Sequence, residues 1–148
     1  MKQNLRQVRY LGQSLVEAVV TLGIVLLMLS GLVIITLSSL HNAQASKNRA
    51  IASQFGQESL EIARRERDSG WSAFIVKDGK KYCVGGQGTL SVTTDISSCP
   101  EVGSGFRRTL DFTYTPLTLT MNVASSVSWK EGETTKTASF VTIFTQWK

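Results

Sequence analysis

Residues 13–40 read QSLVEAVVTLGIVLLMLSGLVIITLSSL, and the 23 residues from Ala18 to Leu40 carry no charge. As an α-helix that run spans roughly 34 Å, enough to cross the hydrocarbon of a bilayer. The charge-free zone continues to Ser46, and every charge of the chain lies outside residues 18–46. The near-zero mean hydropathy therefore averages two materials joined end to end. Ahead of the run stands MKQNLRQVRYLG, a polar and basic segment of residues 1–12 that ends in glycine. The positive-inside tendency keeps that segment cytoplasmic, a bias that Lys47 and Arg49 beyond the span make modest.

From His41 to Ser69 the chain turns polar but stays helix-friendly, with Ala43, Ala50, Ala52 and Ala63 and no proline. Ile51, Ala52, Phe55, Ser59, Ile62 and Ala63 recur at helical spacing, a narrow stripe among Lys47, Arg49, Glu58, Glu61, Arg64 and Arg65. No breaker separates this stretch from the span. Ser14 to Ser69 is therefore expected as one helix of roughly 84 Å, stopped at Asp68-Ser69-Gly70.

Past Trp71 the period changes to two. Phe106, Arg108, Leu110, Phe112 and Tyr114 alternate with polar neighbours, which predicts a strand with one buried face. Leu117, Leu119, Met121, Val123, Val127 and Trp129 share a parity interrupted by Ser125, predicting a second strand. A turn at Lys130-Glu131-Gly132-Glu133 then leads into a last strand through Trp147. An earlier hairpin, Ala73–Val76 with Tyr82–Val84 around Asp78-Gly79, is expected to join helix to sheet, together with the glycine-rich Gly85–Gly88. The sum is an α+β fold, a long amino-terminal helix whose outer half covers an antiparallel sheet. Its parts divide as residues 1–12, 13–40, 41–70 and 71–148.

At 148 residues the chain holds one domain and an anchor. Lys2, Arg6 and Arg9 supply three of its +5 charges, and the +2 left over is too scattered for a nucleic-acid footprint. Cys83 and Cys99, with 15 residues between them, are expected to form a disulfide if the head is exported, worth about 3 kcal/mol in the chain-entropy model. Two free thiols are the alternative in a reducing compartment. His41 is the only histidine, so no metal centre, cofactor or catalytic constellation is expected, and the chain reads as a non-enzyme. Gly85-Gly86-Gln87-Gly88 lacks the following Lys-Ser/Thr of a phosphate loop and reads as structural. Trp71, Trp129 and Trp147 are expected as core or edge residues of the head, an exposed one being suited to sugar or surface contacts.

Glu17 stands at the near edge of the span. A carboxylate within an apolar helix costs about 2.5–3.5 kcal/mol at the centre and less at the boundary, so it either snorkels to the headgroups or has a partner. A cut after Gly12 would create one, the new amine of Gln13, one helical turn away or on a neighbouring subunit. Gly12-Gln13-Ser14-Leu15-Val16-Glu17 with its basic leader and apolar helix resembles the start of type IV pilins and type II secretion pseudopilins. The likeness covers about the first forty residues, and the head agrees in architecture. The resemblance implies cleavage by a prepilin peptidase after Gly12, N-methylation of Gln13, and an assembly role for Glu17, which pairs with a neighbouring amine. Two departures tilt the likeness toward a minor pilin or pseudopilin. Gln13 replaces the apolar residue usual after the cut, and Pro100 and Pro116 are the only prolines, so the mid-span proline of major pilins is missing.

The resemblance further implies a single-pass subunit, amino terminus cytoplasmic and head exported, held in membrane lipid until an assembly platform membrane protein lifts it into a filament. There the apolar helix packs on other pilin subunits, in a cell-surface or periplasmic filament serving adhesion, motility, DNA uptake or protein secretion. Gly23, Ser30 and Gly31 suit close helix approach there. Some members of that family bind DNA during uptake. Here Arg64, Arg65 and Arg67 read as charges complementing the helix dipole, which leaves DNA an unsupported partner. Two other classes compete. Ala43-Gln44-Ala45 resembles a signal-peptide cleavage site that would release a secreted binding protein from Ser46, and an uncut chain would be a single-span adhesin.

Overall fold

The computed structural model describes the backbone of residues 4–146 and the side chains from Leu15 to Gln146. Helix α1 spans Asn4–Ser69, 66 residues without a break. It begins earlier than the expected Ser14 and passes through Gly12, because nothing in residues 4–13 forbids a helix and a single internal glycine costs only about 1 kcal/mol. It stops where Gly70 was expected to stop it, with the Gly70 N–H donating to the Arg67 carbonyl at 3.2 Å. The chain divides into two compact units between residues 44 and 45.

In the unit from Ala45 onward, α1 is followed by the short helix α2 (Trp71–Ile75) and by strands β1 (Lys81–Val84), β2 (Leu90–Thr93), β3 (Phe106–Thr115), β4 (Thr120–Glu131) and β5 (Thr134–Thr145). They form one sheet in the order β2-β1-β3-β4-β5, every neighbouring pair antiparallel. The alternation in β3 and β4 faces as expected, with Phe106, Arg108, Leu110 and Phe112 buried alongside Met121, Val123, Ser125, Val127 and Trp129. Ala52, Ser59, Ile62 and Ala63 of α1 are buried against this face. Ser59 is tolerated there because its hydroxyl donates to the Phe55 carbonyl at 2.8 Å.

Phe74 of α2 is the hub of the larger core cluster. Its ring meets Phe112 at 5.6 Å and Phe144 at 5.7 Å, both edge to face. A smaller cluster joins Ala52, Phe106, Val127 and Trp129. Between the two, Phe140 of β5 lies across Gly56 so closely that a Cβ on Gly56 would sit 2.2 Å from its ring. Gly56→Leu is therefore expected to evict Phe140 and destabilise the head by about 1–3 kcal/mol. Urea unfolding followed by near-ultraviolet circular dichroism checks this.

Two expected elements are corrected. Ala73–Val76 is no strand. Trp71, Phe74 and Ile75 follow helical spacing and close α2, with the Phe74 N–H donating to the Gly70 carbonyl at 3.0 Å. The partner of β1 is β2 instead, across a loop closed by the Gly85 N–H donating to the Thr89 carbonyl at 2.9 Å. Asp78-Gly79 still turns the chain, docked on β3 through Asp78 Oδ1, which accepts the Tyr114 N–H at 2.7 Å. Leu117 and Leu119 also leave the strand. Thr115 pairs with Thr120, so Pro116–Leu119 is the reversal, with Leu117 97% exposed and Leu119 at φ 50°. Their parity with Met121 was coincidence across a turn. The last strand ends at Thr145, and Trp147 lies outside the described residues.

Cys83 and Cys99 are joined by a disulfide. Cys83 pairs with Thr109 on the sheet face away from α1, so the bond ties the segment after β2 over Thr109, which is buried. Arg107 fastens that segment further, donating from Nε to the Cys99 carbonyl at 3.1 Å and from Nη2 to Glu101 at 2.8 Å. Within the segment, the Ser97 hydroxyl and backbone N–H donate to the exposed Asp95 carboxylate and hold it below the ordinary carboxylate pKa. A lowered folded value means that this contribution is present above the unfolded pKa and fades as pH falls through the folded one. Ser97→Ala is expected to raise the Asp95 titration midpoint, read from its side-chain carbon shift by NMR.

Candidate functional site

Among the described residues α1, over Leu15–Ser69, is the one helix long and apolar enough to cross a membrane, and none of its most apolar window is buried. The large apolar side chains of residues 15–40, Leu22, Ile24, Leu27, Leu32 and Ile35 among them, are exposed on every side. A helix hydrophobic all round belongs in lipid or among other helices. The hydroxyls agree with such surroundings. Thr21 donates to the Ala18 carbonyl at 3.0 Å, Ser30 to Leu27 at 2.8 Å and Thr36 to Leu32 at 2.8 Å. These three hydroxyls thus bond to their own helix, as an apolar solvent favours.

Gly12 and Gln13 lie on the helical backbone of α1, and the Gln13 side chain lies outside the described residues. Glu17 is exposed four residues after Gln13, on the same helix face, and among the described residues no cation pairs with it. Open space surrounds the Cα of both Gly23 and Gly31.

In the second unit the chemistry-bearing residues are spent on structure. The Gly85–Gly88 loop turns carbonyls, not N–H groups, toward its neighbour. Arg108 donates from Nε to the Val84 carbonyl at 3.1 Å and from Nη2 to the Gly85 carbonyl at 2.8 Å. Its Nη1 lies 2.9 Å from Glu58 on α1, an ion contact without hydrogen-bond alignment, while Nη2 reaches the other Glu58 oxygen at 3.4 Å. The guanidinium carbon stands 5.5 Å from the centre of the Phe55 ring. Arg108 is 1% exposed, a clamp between helix and sheet that its place in an apolar parity signalled without naming a partner.

Arg64 pairs with Glu61, and Arg67 pairs with Asp68 at 2.7 Å while lying 5.1 Å over Phe144. Arg64 and Arg67, two of the three arginines near the end of α1, are thus balanced by carboxylates. His41 is exposed, and among the described residues no cluster of His, Cys, Asp and Glu is arranged to hold a metal. Trp129 is buried against Phe106 at 6.0 Å, whereas Trp71 is half-buried. No family model, curated protein or solved structure matches this chain.

Proposed function

We propose that the chain is a membrane-anchored filament subunit of the type IV pilin or pseudopilin kind, cut after Gly12, N-methylated on Gln13 and assembled through its apolar helix. The observation that carries this is the uninterrupted helix whose residues 15–40 are apolar on all sides, with Glu17 at its start. Such a surface needs lipid before assembly and the helices of other subunits after it. Glu17 needs a positive partner when it leaves the headgroup region, and a free amine on Gln13 of a neighbour supplies one. Gly12 is the weakest point of the helix ahead of the span, where local unwinding offers the peptide to a prepilin peptidase at least cost.

In this reading the amino terminus is cytoplasmic and the unit from Ala45 onward is exported, a compartment that suits the Cys83–Cys99 bond. The partners are the peptidase, an assembly platform in the membrane and further copies of the chain. A second reading has its own support. The boundary between the two compact units falls beside Ala43-Gln44-Ala45, where a signal peptidase would release a secreted head.

The mature amino terminus of protein from the native cell, measured by intact mass and terminal peptide mass spectrometry, separates the two. N-methylated Gln13 is the expected result. A chain beginning at Ser46 would replace the filament by a secreted head, and an intact leader would leave a static anchor.

A further inference from the structure

Where α1 ends, Arg67, Asp68, Gly70, Trp71 and Gln146 enclose a cleft of about 260 Å³. Its aromatic wall is rigid. Trp71 is half-buried on the core, 5.8 Å from the fully buried Phe74 and 6.3 Å from Tyr114. Its polar walls are planar groups, one of them held in place. Asp68 Oδ1 accepts from Arg67 Nε at 2.8 Å, and Arg67 is itself laid over Phe144. Asp68 remains 54% exposed, and among the described residues its Oδ2 accepts no hydrogen bond. The Gln146 carboxamide is exposed, and no atom lies within 4 Å of where a Gly70 Cβ would stand, so the glycine leaves the cleft open.

This chemistry narrows the ligand. Drug-sized pockets start at roughly 300 Å³, so the cleft takes one ring. Arg67 and Asp68 neutralise each other, which disfavours an ionic ligand, and the carbonyl end of α1 disfavours an anion further. The polar groups disfavour a purely apolar ligand, whose entry would strip them of water without return. A pyranose answers all of these terms. Its C–H face lies on an indole, and its vicinal hydroxyls meet the acceptors and donors of a carboxylate and a carboxamide.

We propose that the cleft beside Trp71 binds a single pyranose unit of an uncharged glycan. Such a site is independent of how the amino terminus is processed. The test uses the full chain in detergent micelles, with the tryptophan indole N–H resonances followed by NMR during titration with methyl pyranosides. One arm holds glucoside, galactoside and mannoside, standing for surface polysaccharide. The other holds the N-acetylglucosaminide, standing for cell-wall glycan. Trp71→Phe keeps the core packing and identifies the Trp71 resonance by its loss.

The expected result is a saturable shift of that resonance by members of one arm, with affinity at least tenfold weaker in Asp68→Ala or Gln146→Ala, both of which leave the core untouched. No shift by any member overturns the proposal. So does a shift whose affinity is the same in both variants, since the polar walls would then have no part in binding.

Discussion

Arg108→Ala is expected to destabilise the head by about 2–4 kcal/mol, for the buried hydrogen bonds and packing that the guanidinium gives up. The guanidinium ties four groups together: the Val84 and Gly85 carbonyls at the end of β1, and Glu58 and Phe55 on α1. Its loss takes a donor from both carbonyls in a place water reaches poorly; the Gly85 carbonyl keeps the Gly88 N–H at 3.0 Å, and a buried group left unpaired costs about 1–3 kcal/mol. Glu58 fares better, because its side chain is 45% exposed and can return to solvent. Glu58→Gln is accordingly expected to cost less, since the guanidinium keeps its two carbonyls. Urea unfolding of the full chain in micelles compares the two variants. Equal losses would place the stability in the ion pair itself, and a loss below about 1 kcal/mol for Arg108→Ala would show that the clamp is dispensable.

Phe74→Ala is the other large effect, about 3–5 kcal/mol. The ring is fully buried where α2, β3 and β5 meet, and it contacts Phe112, Phe144 and Trp71. The walls of the resulting cavity belong to three separate elements pinned by their own hydrogen bonds, so it cannot collapse cheaply. Leu117→Ala supplies the contrast. That side chain is almost wholly in solvent, and its removal is expected to stay within about 0.5 kcal/mol. Near-ultraviolet circular dichroism through a thermal ramp reads both. A small loss at Phe74 would mean that the aromatic cluster repacks without it.

The apolar run was legible from its length without a charge, and the stripe from Ile51 to Ala63 and the alternation in β3 and β4 because each repeats one period over many residues, enforced by burial on one face. Trp71–Ile75 was not, since five residues fit either period and the backbone bond from Phe74 to Gly70 decides between them. Leu90–Thr93 escaped notice for the same reason, a four-residue strand on an edge with its side chains largely outside. The strand beginning at Leu117 was misread because parity persists across a turn while the backbone does not, and Pro116 was the available warning. On the candidate site, Glu17 was visible as a charge at the edge of an apolar run. The Arg108 clamp was half visible: a cation among inward positions announces a buried partner, but Glu58 lies fifty residues away and only the fold brings it near. The cleft at Trp71 joins residues 67–71 to Gln146, a long-range meeting that no local pattern encodes.

The place of Phe144 has a further consequence for the order of events during synthesis. Phe74 emerges seventy residues before the ring it packs against, which at about 5–20 residues per second is a wait of roughly 4–14 s. Throughout it β4 lacks its edge partner, and the stripe on α1 faces an unfinished sheet. The apolar run, by contrast, is complete after forty residues and is committed to its solvent first. In the membrane-anchored reading proposed above, a nascent chain is thus tethered long before it can close its head. A premature stop upstream of Phe144 would leave the head permanently open, a form that a cell must hold or destroy.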